Sequence, residues 1–144
     1  MKKLMVLLVA LVAMQGAAWA GNDRPVTIAQ LPTQAQQFIN RYFGGIEVSY
    51  AKVDSDLFSK DYEVIFVNGD KIEFDRNGKW TNVKSRTKLP DGIAPPAIVD
   101  YVEKRHKGMI MKSIERDRRH YEVGLTNGLE IKFNSNFIPI SYDD

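Results

Sequence analysis

A chain of 144 residues with 20 basic and 18 acidic side chains is near neutrality, which excludes a bulk basic field for nucleic acid or anionic lipid. The absence of cysteine excludes thiol catalysis, disulfide exchange and thiolate metal sites, and leaves stability to burial alone.

The first twenty residues read as a secretory signal peptide. Lys2 and Lys3 form the basic start, Leu4 to Met14 the apolar run, and Ala18-Trp19-Ala20 the small-x-small cleavage pattern. The run is too short to span a bilayer, which takes about 20 apolar residues. Cleavage after Ala20 leaves 124 residues with 18 basic and 18 acidic side chains, placed in the periplasm or outside the cell with no stable membrane insertion.

The next signal is repetition. Residues 61–74 and 120–133 share Tyr, Glu, Val, Asn, Gly, Ile and Phe at a constant offset of 59, from Tyr62 and Tyr121 to Phe74 and Phe133. Each block reads as a hairpin. A three-residue loop, Val67-Asn68-Gly69 or Thr126-Asn127-Gly128, pairs Tyr62 with Phe74 and Tyr121 with Phe133, keeping apolar residues on one face. Asn77-Gly78 reads as a two-residue turn that pairs Phe74 with Thr81 and puts Trp80 opposite Asp75, on the outer face. In the second block Phe133 aligns with Ile140, and Pro139 suits an edge strand.

Ahead of each hairpin lies a helix. Ala35, Phe38, Ile39, Tyr42 and Phe43 make an apolar stripe between Pro32 and Gly44-Gly45, and Ile98, Tyr101, Val102 and Arg105 make another between Pro95-Pro96 and Gly108. Residues 46–53 and 109–114 read as further strands. The expected fold is α+β, two tandem repeats of one helix plus a four-stranded antiparallel sheet, over 21–84 and 85–144 after the signal peptide at 1–20. Lys84 to Pro96 is the connection, and the two repeats form one compact domain.

Those residues carry a family resemblance. The Pro-led helix, Tyr62-Glu63-Val64, Asn68-Gly69 and the run Ile72-Glu73-Phe74-Asp75-Arg76-Asn77-Gly78-Lys79-Trp80 resemble the PepSY-like, β-lactamase-inhibitor-like family of exported bacterial proteins. The second block departs from the pattern at Asn134 and Pro139. The resemblance implies a fold similar to the β-lactamase inhibitory protein, whose sheet presents a protein-binding face. It implies no enzymatic role and transfers no site residue.

Motif chemistry is sparse. There is no Gly-x-Ser-x-Gly, His-Glu-x-x-His, Walker loop or dinucleotide fingerprint, so no catalytic residue, cofactor or metal ligand is assigned. His106 and His120 read as surface residues. Asp54-Ser55-Asp56 and Asp75-Arg76-Asn77-Gly78 echo fragments of calcium loops but lack the full ligand spacing, and read as turns. The basic runs at 104–107 and 116–119 read as solvated surface. The outer face of the first sheet, with Trp80, Ile65, Glu63, Lys71, Glu73 and Asp75, is the candidate contact face, because aromatics in a polar surround mark protein contacts. The expectation is an exported, non-catalytic module that binds an envelope protein and inhibits an exported hydrolase. The alternatives are a small-ligand or peptide-binding module, and a hydrolase using Glu63 and Glu73.

Overall fold

Alternation of apolar and polar residues, clearest in 60–66, 71–74 and 130–134, builds strands with one buried face, and two amphipathic segments supply the helices that bury it. The computed structural model describes residues 23–144; the expected signal peptide at 1–20 lies outside them. The strands are β1 (Asp23–Val26), β2 (Val48–Ser55), β3 (Lys60–Phe66), β4 (Lys71–Phe74), β5 (Trp80–Lys84), β6 (Met111–Arg116), β7 (His120–Leu125), β8 (Glu130–Asn134) and β9 (Pro139–Asp143). The helices are α1 (Thr33–Phe43) and α2 (Pro96–Arg105), with a 3-10 turn at Ile28–Gln30.

The strands form one nine-stranded antiparallel sheet in the order β1 to β9. This corrects the expectation of two repeats, each a helix with its own four-stranded sheet. The sheet runs unbroken across the middle of the chain, where β5 pairs with β6 through Asn82 and Glu115, Val83 and Ile114, and Lys84 and Ser113. Val83 and Ile114 are fully buried at this seam. Two separate sheets would leave two edges with unpaired backbone groups, and joining them removes both. β1 also escaped the sequence pattern: Asp23-Arg24-Pro25-Val26 has no apolar alternation, and it pairs with β2 as an edge strand that tolerates Pro25.

Both helices pack on the same face. Ala35, Ile39 and Phe43 of α1 and Ile98 and Val102 of α2 join the inward residues of the strands in one core. Phe43 stacks on Phe66 at 5.0 Å, while Phe38 meets Phe74 edge-on at 5.7 Å and Tyr101 meets Phe133 at 5.5 Å. The three-residue hairpin loops form as their register requires, pairing Tyr62 with Phe74 and Tyr121 with Phe133. Gly69 and Gly128 take φ of +97° and +88°.

The turn after β4 differs from the two-residue reading. Asp75 N–H donates to Lys79 O at 2.8 Å and Gly78 N–H to Asp75 O at 3.0 Å, so the loop is Arg76-Asn77-Gly78. That one-residue shift sets Trp80, not Thr81, opposite Phe74, and a bulge restores the pairing of Glu73 with Asn82. Trp80 is therefore 7% exposed and belongs to the core. β8 and β9 repeat the shift, with Phe133 opposite Pro139. The connection between β5 and α2 also contributes core residues, Leu89, Ile93 and Ala94. His106, expected at the surface, caps the end of α2 between Tyr101 and Tyr142, with a buried Nε2 that has no hydrogen-bond partner.

Candidate protein-contact site

Antiparallel register lines up the outward residues of neighbouring strands, so the uncovered face carries rows of charge. One row runs Lys52, Glu63, Glu73, Asn82, Glu115, Glu122 and Lys132. Lys52 Nζ lies 2.9 Å from Asp23 and 3.3 Å from Glu63; Lys71 Nζ lies 3.3 Å from Glu63 and 3.4 Å from Glu73. The hydrogen bond to Asp23 is the largest influence raising the Lys52 ammonium, with Glu63 adding to it against a burial penalty. Burial pulls Lys71 down, but Glu73 and Glu63 outweigh it and leave it raised. These pairs are partly solvated and individually worth little, about 0–1 kcal/mol. Glu63 and Glu73, the conceivable catalytic pair, share Lys71 between them.

The next row is different. Asp54 faces Asp61 across β2 and β3, and among the described residues neither makes an ion pair. Asp61 is raised above the usual carboxylate range, first by partial burial and then by Asp54, Glu73, Asp56 and Asp75. Asp54, Asp61, Glu73 and Asp75 meet at one end of β1 to β7 in a hollow of about 770 Å³. Its lining holds seven carboxylates (Asp23, Asp54, Asp61, Glu63, Glu73, Asp75 and Asp117) against four cations (Lys52, Lys79, Arg116 and Arg118), with Tyr62, Trp80 and Tyr121 between them. The Arg116 guanidinium lies 3.8 Å from the Trp80 ring centroid, and its Nε donates to Trp80 O at 2.8 Å. Its pKa is lowered by burial, an effect that Tyr121 and Asp75 oppose.

Of the residues expected to form the contact face, Glu63, Lys71 and Glu73 do lie together, half-exposed, with Ile65 opposite Lys71. Asp75 sits at the hollow, where its Oδ1 accepts the Asn77 and Lys79 N–H groups. Trp80 does not project from this face as a solvent-exposed anchor. The hollow reaches it, but its ring is buried beneath Arg116.

The most exposed large apolar side chains lie elsewhere. Leu57 and Phe58, at the tip between β2 and β3, are each 91% exposed. Asp56 N–H donates to Ser59 O at 2.9 Å, while Asp56 Oδ1 accepts from Phe58 N–H at 3.0 Å, Ser59 N–H at 2.9 Å and the Ser59 hydroxyl at 3.0 Å. Those bonds to the carboxylate, the Phe58 amide first, hold Asp56 below the usual range. A sequence signal was present: two large apolar residues inside a turn otherwise made of Asp and Ser.

An α+β chain with helices on one sheet face and an open charged hollow on the other is the class that fold and site define. The chain belongs to the family described as "Putative beta-lactamase-inhibitor-like, PepSY-like", whose model matches residues 60–140. It is similar to a solved "putative periplasmic protein from DUF2874 family" of Bacteroides vulgatus, 44% identical, covering 88% of this chain and 100% of that one, with a TM-score of 0.84. It is also similar to a "putative calcium-regulated periplasmic protein" of Bacteroides thetaiotaomicron, 42% identical, covering 88% and 100%, with the same TM-score of 0.84. A further Bacteroides vulgatus structure, a "putative periplasmic protein of unknown function", is 31% identical, covers 85% and 99%, and has a TM-score of 0.80. No curated protein matches the chain. The periplasmic location expected from the N-terminal segment agrees with all three relatives, and the protein is periplasmic.

Proposed function

We propose that the protein is a non-catalytic binding module whose acidic hollow holds a cationic segment of a partner protein in the cell envelope. The observation that carries this reading is the imbalance of the lining, seven carboxylates to four cations, with Asp54 and Asp61 lacking any ion pair among the described residues. A lysine or arginine of the partner placed there relieves the repulsion among Asp54, Asp61 and Asp75 and makes charge-assisted hydrogen bonds. The hollow's volume is within the range of small-ligand sites, but its lining is charged where such sites are mostly apolar, which favours a peptide or protein side chain. Inhibition of an exported hydrolase is a finer form of this reading, supported by the family description.

Synthetic nine-residue Gly/Ser peptides bearing three arginines, three glutamates or no charge test it by calorimetry. The basic peptide binds best, its affinity falls with added salt, and a variant with Asp54→Asn, Asp61→Asn and Glu73→Gln loses the preference. Equal binding of all three peptides contradicts the reading. Calcium is the second reading, supported by the description of the Bacteroides thetaiotaomicron relative and by the row of carboxylates. Among the described residues no group of three or more carboxylates or histidines is gathered closely enough to hold a metal. Saturable calorimetric heat with Ca²⁺, absent in the same triple variant, is the result that favours it.

A further inference from the structure

We infer that the turn from Asp56 to Ser59 is a hydrophobic anchor, with Leu57 and Phe58 entering an apolar cleft of the partner whose rim is cationic. The inference rests on the binding-module reading and names the part of the partner that meets the tip.

Scattered exposed apolar residues are ordinary, but two adjacent large ones, each 91% exposed on a turn tip, are not. The fold does not demand them. The turn between β6 and β7 closes the same way, with Asp117 N–H donating to His120 O at 3.0 Å and Asp117 Oδ1 accepting Arg119 and His120 N–H at 2.8 Å each. That turn displays Arg118 and Arg119. A turn with the same hydrogen-bond pattern therefore accepts charged residues at its tip, and Leu57 and Phe58 are there for something other than closing the strand pair. The hydrogen bonds to Asp56 hold the tip in one shape before it binds, which reduces the ordering cost of association.

The surrounding charge decides what kind of surface fits. Asp54, Asp56 and Asp61 flank the tip, and Lys60, the cation next to it in the chain, is drawn back over the Tyr62 ring at 5.8 Å. An anionic lipid surface would bring these three carboxylates against phosphate, and a second copy of the chain would set them against each other. A protein cleft with an apolar floor and basic rim satisfies both the tip and its flanks. Asp54 and Asp61 also line the hollow, so one partner surface spans both features.

The test places a photo-crosslinking phenylalanine analogue at Phe58, at Lys79 in the hollow, or at Val67, which is exposed at the other end of β3, in the full chain within producing cells. The inference expects positions 58 and 79 to capture the same envelope protein and position 67 to capture none. Against that protein, once purified, Phe58→Asp and Leu57→Asp each weaken binding at least about 30-fold, the size of an interface hot spot. Phe58→Trp retains binding, added salt weakens it, and unchanged circular dichroism shows that the variants fold. Adducts to lipid or to a second copy at position 58, or wild-type affinity in Phe58→Asp, overturn the inference. Capture at 79 without capture at 58 removes the anchor and leaves the hollow standing. Capture at neither removes both.

Discussion

The turn between β2 and β3 and the turn between β6 and β7 are built alike and dressed differently. In each, an aspartate carboxylate takes the N–H groups two and three residues on, and its own N–H closes the turn. One presents Leu57-Phe58 and the other Arg118-Arg119. Backbone geometry is set by the aspartate and the strands it joins, so the two tip residues are free to serve contact. The same comparison separates stability from function: the aspartates should matter to folding, and the tip residues should not.

The core beneath the two turns gives the largest expected effects. Trp80→Ala should cost about 3–5 kcal/mol, as large-to-small aromatic changes at buried sites do, read from denaturant melts. In a chain beginning at residue 21 Trp80 is the only indole, and its emission should be blue-shifted and protected from a soluble quencher. The loops that follow β4 and β8 sharpen the contrast between the halves. Gly78 takes φ of +89°, and a Cβ there would lie 2.9 Å from both Ala35 N and Pro32 Cβ. Gly78→Ala should therefore cost more than the roughly 1–2 kcal/mol of the left-handed backbone alone. The matching position in the second loop is Phe137, at φ of +66°, held against Tyr121 at 5.4 Å.

Much of this was legible in the sequence and some was not, for identifiable reasons. The helix stripes and hairpin registers follow from periodicity, because a slip would put Val64 and Ile72 into water. The seam between β5 and β6 leaves no local mark, since Asn82-Val83-Lys84 and Ser113-Ile114-Glu115 read the same whether at an edge or inside a sheet. Asn77-Gly78 signals a two-residue turn that would face Trp80 outward, but the side chain of Asp75 organises a loop one residue longer and turns Trp80 into the core. The hollow was half legible: Glu63, Glu73 and Asp75 were in view, whereas Asp61, Arg116 and Tyr121 reach it only through tertiary register. Leu57 and Phe58 sit among Asp and Ser residues that signal a turn, and turn composition alone does not say which of its side chains stay in water.

Smaller effects concern charge. Asp61 is raised in the folded protein, so the fold binds its proton more tightly than the unfolded chain does, and stability falls as pH rises through that window above the ordinary value of about 4. Asp61→Asn should therefore raise the melting temperature at neutral pH and remove that slope. Asp56 and Asp117 have the opposite sign. Both are lowered, chiefly by backbone N–H donors, so their contribution is present above the ordinary carboxylate value and is lost as pH falls through the lowered one. Asp56→Asn and Asp117→Asn should each reduce the neutral-pH melting temperature and flatten its acid limb to a similar degree. A large difference between them would break the equivalence of the two turns.

The smallest expected effect tests the central claim most directly. In the doubly substituted variant Leu57→Arg with Phe58→Arg, the first turn carries the tip residues of the second, and its thermal melt is compared with that of the wild type. If the tip is displayed and not structural, stability should stay within about 0.5 kcal/mol of wild type, as for other surface changes. A loss approaching that of Trp80→Ala would contradict the account, because it would show Leu57 and Phe58 packed in the fold and unavailable to any partner.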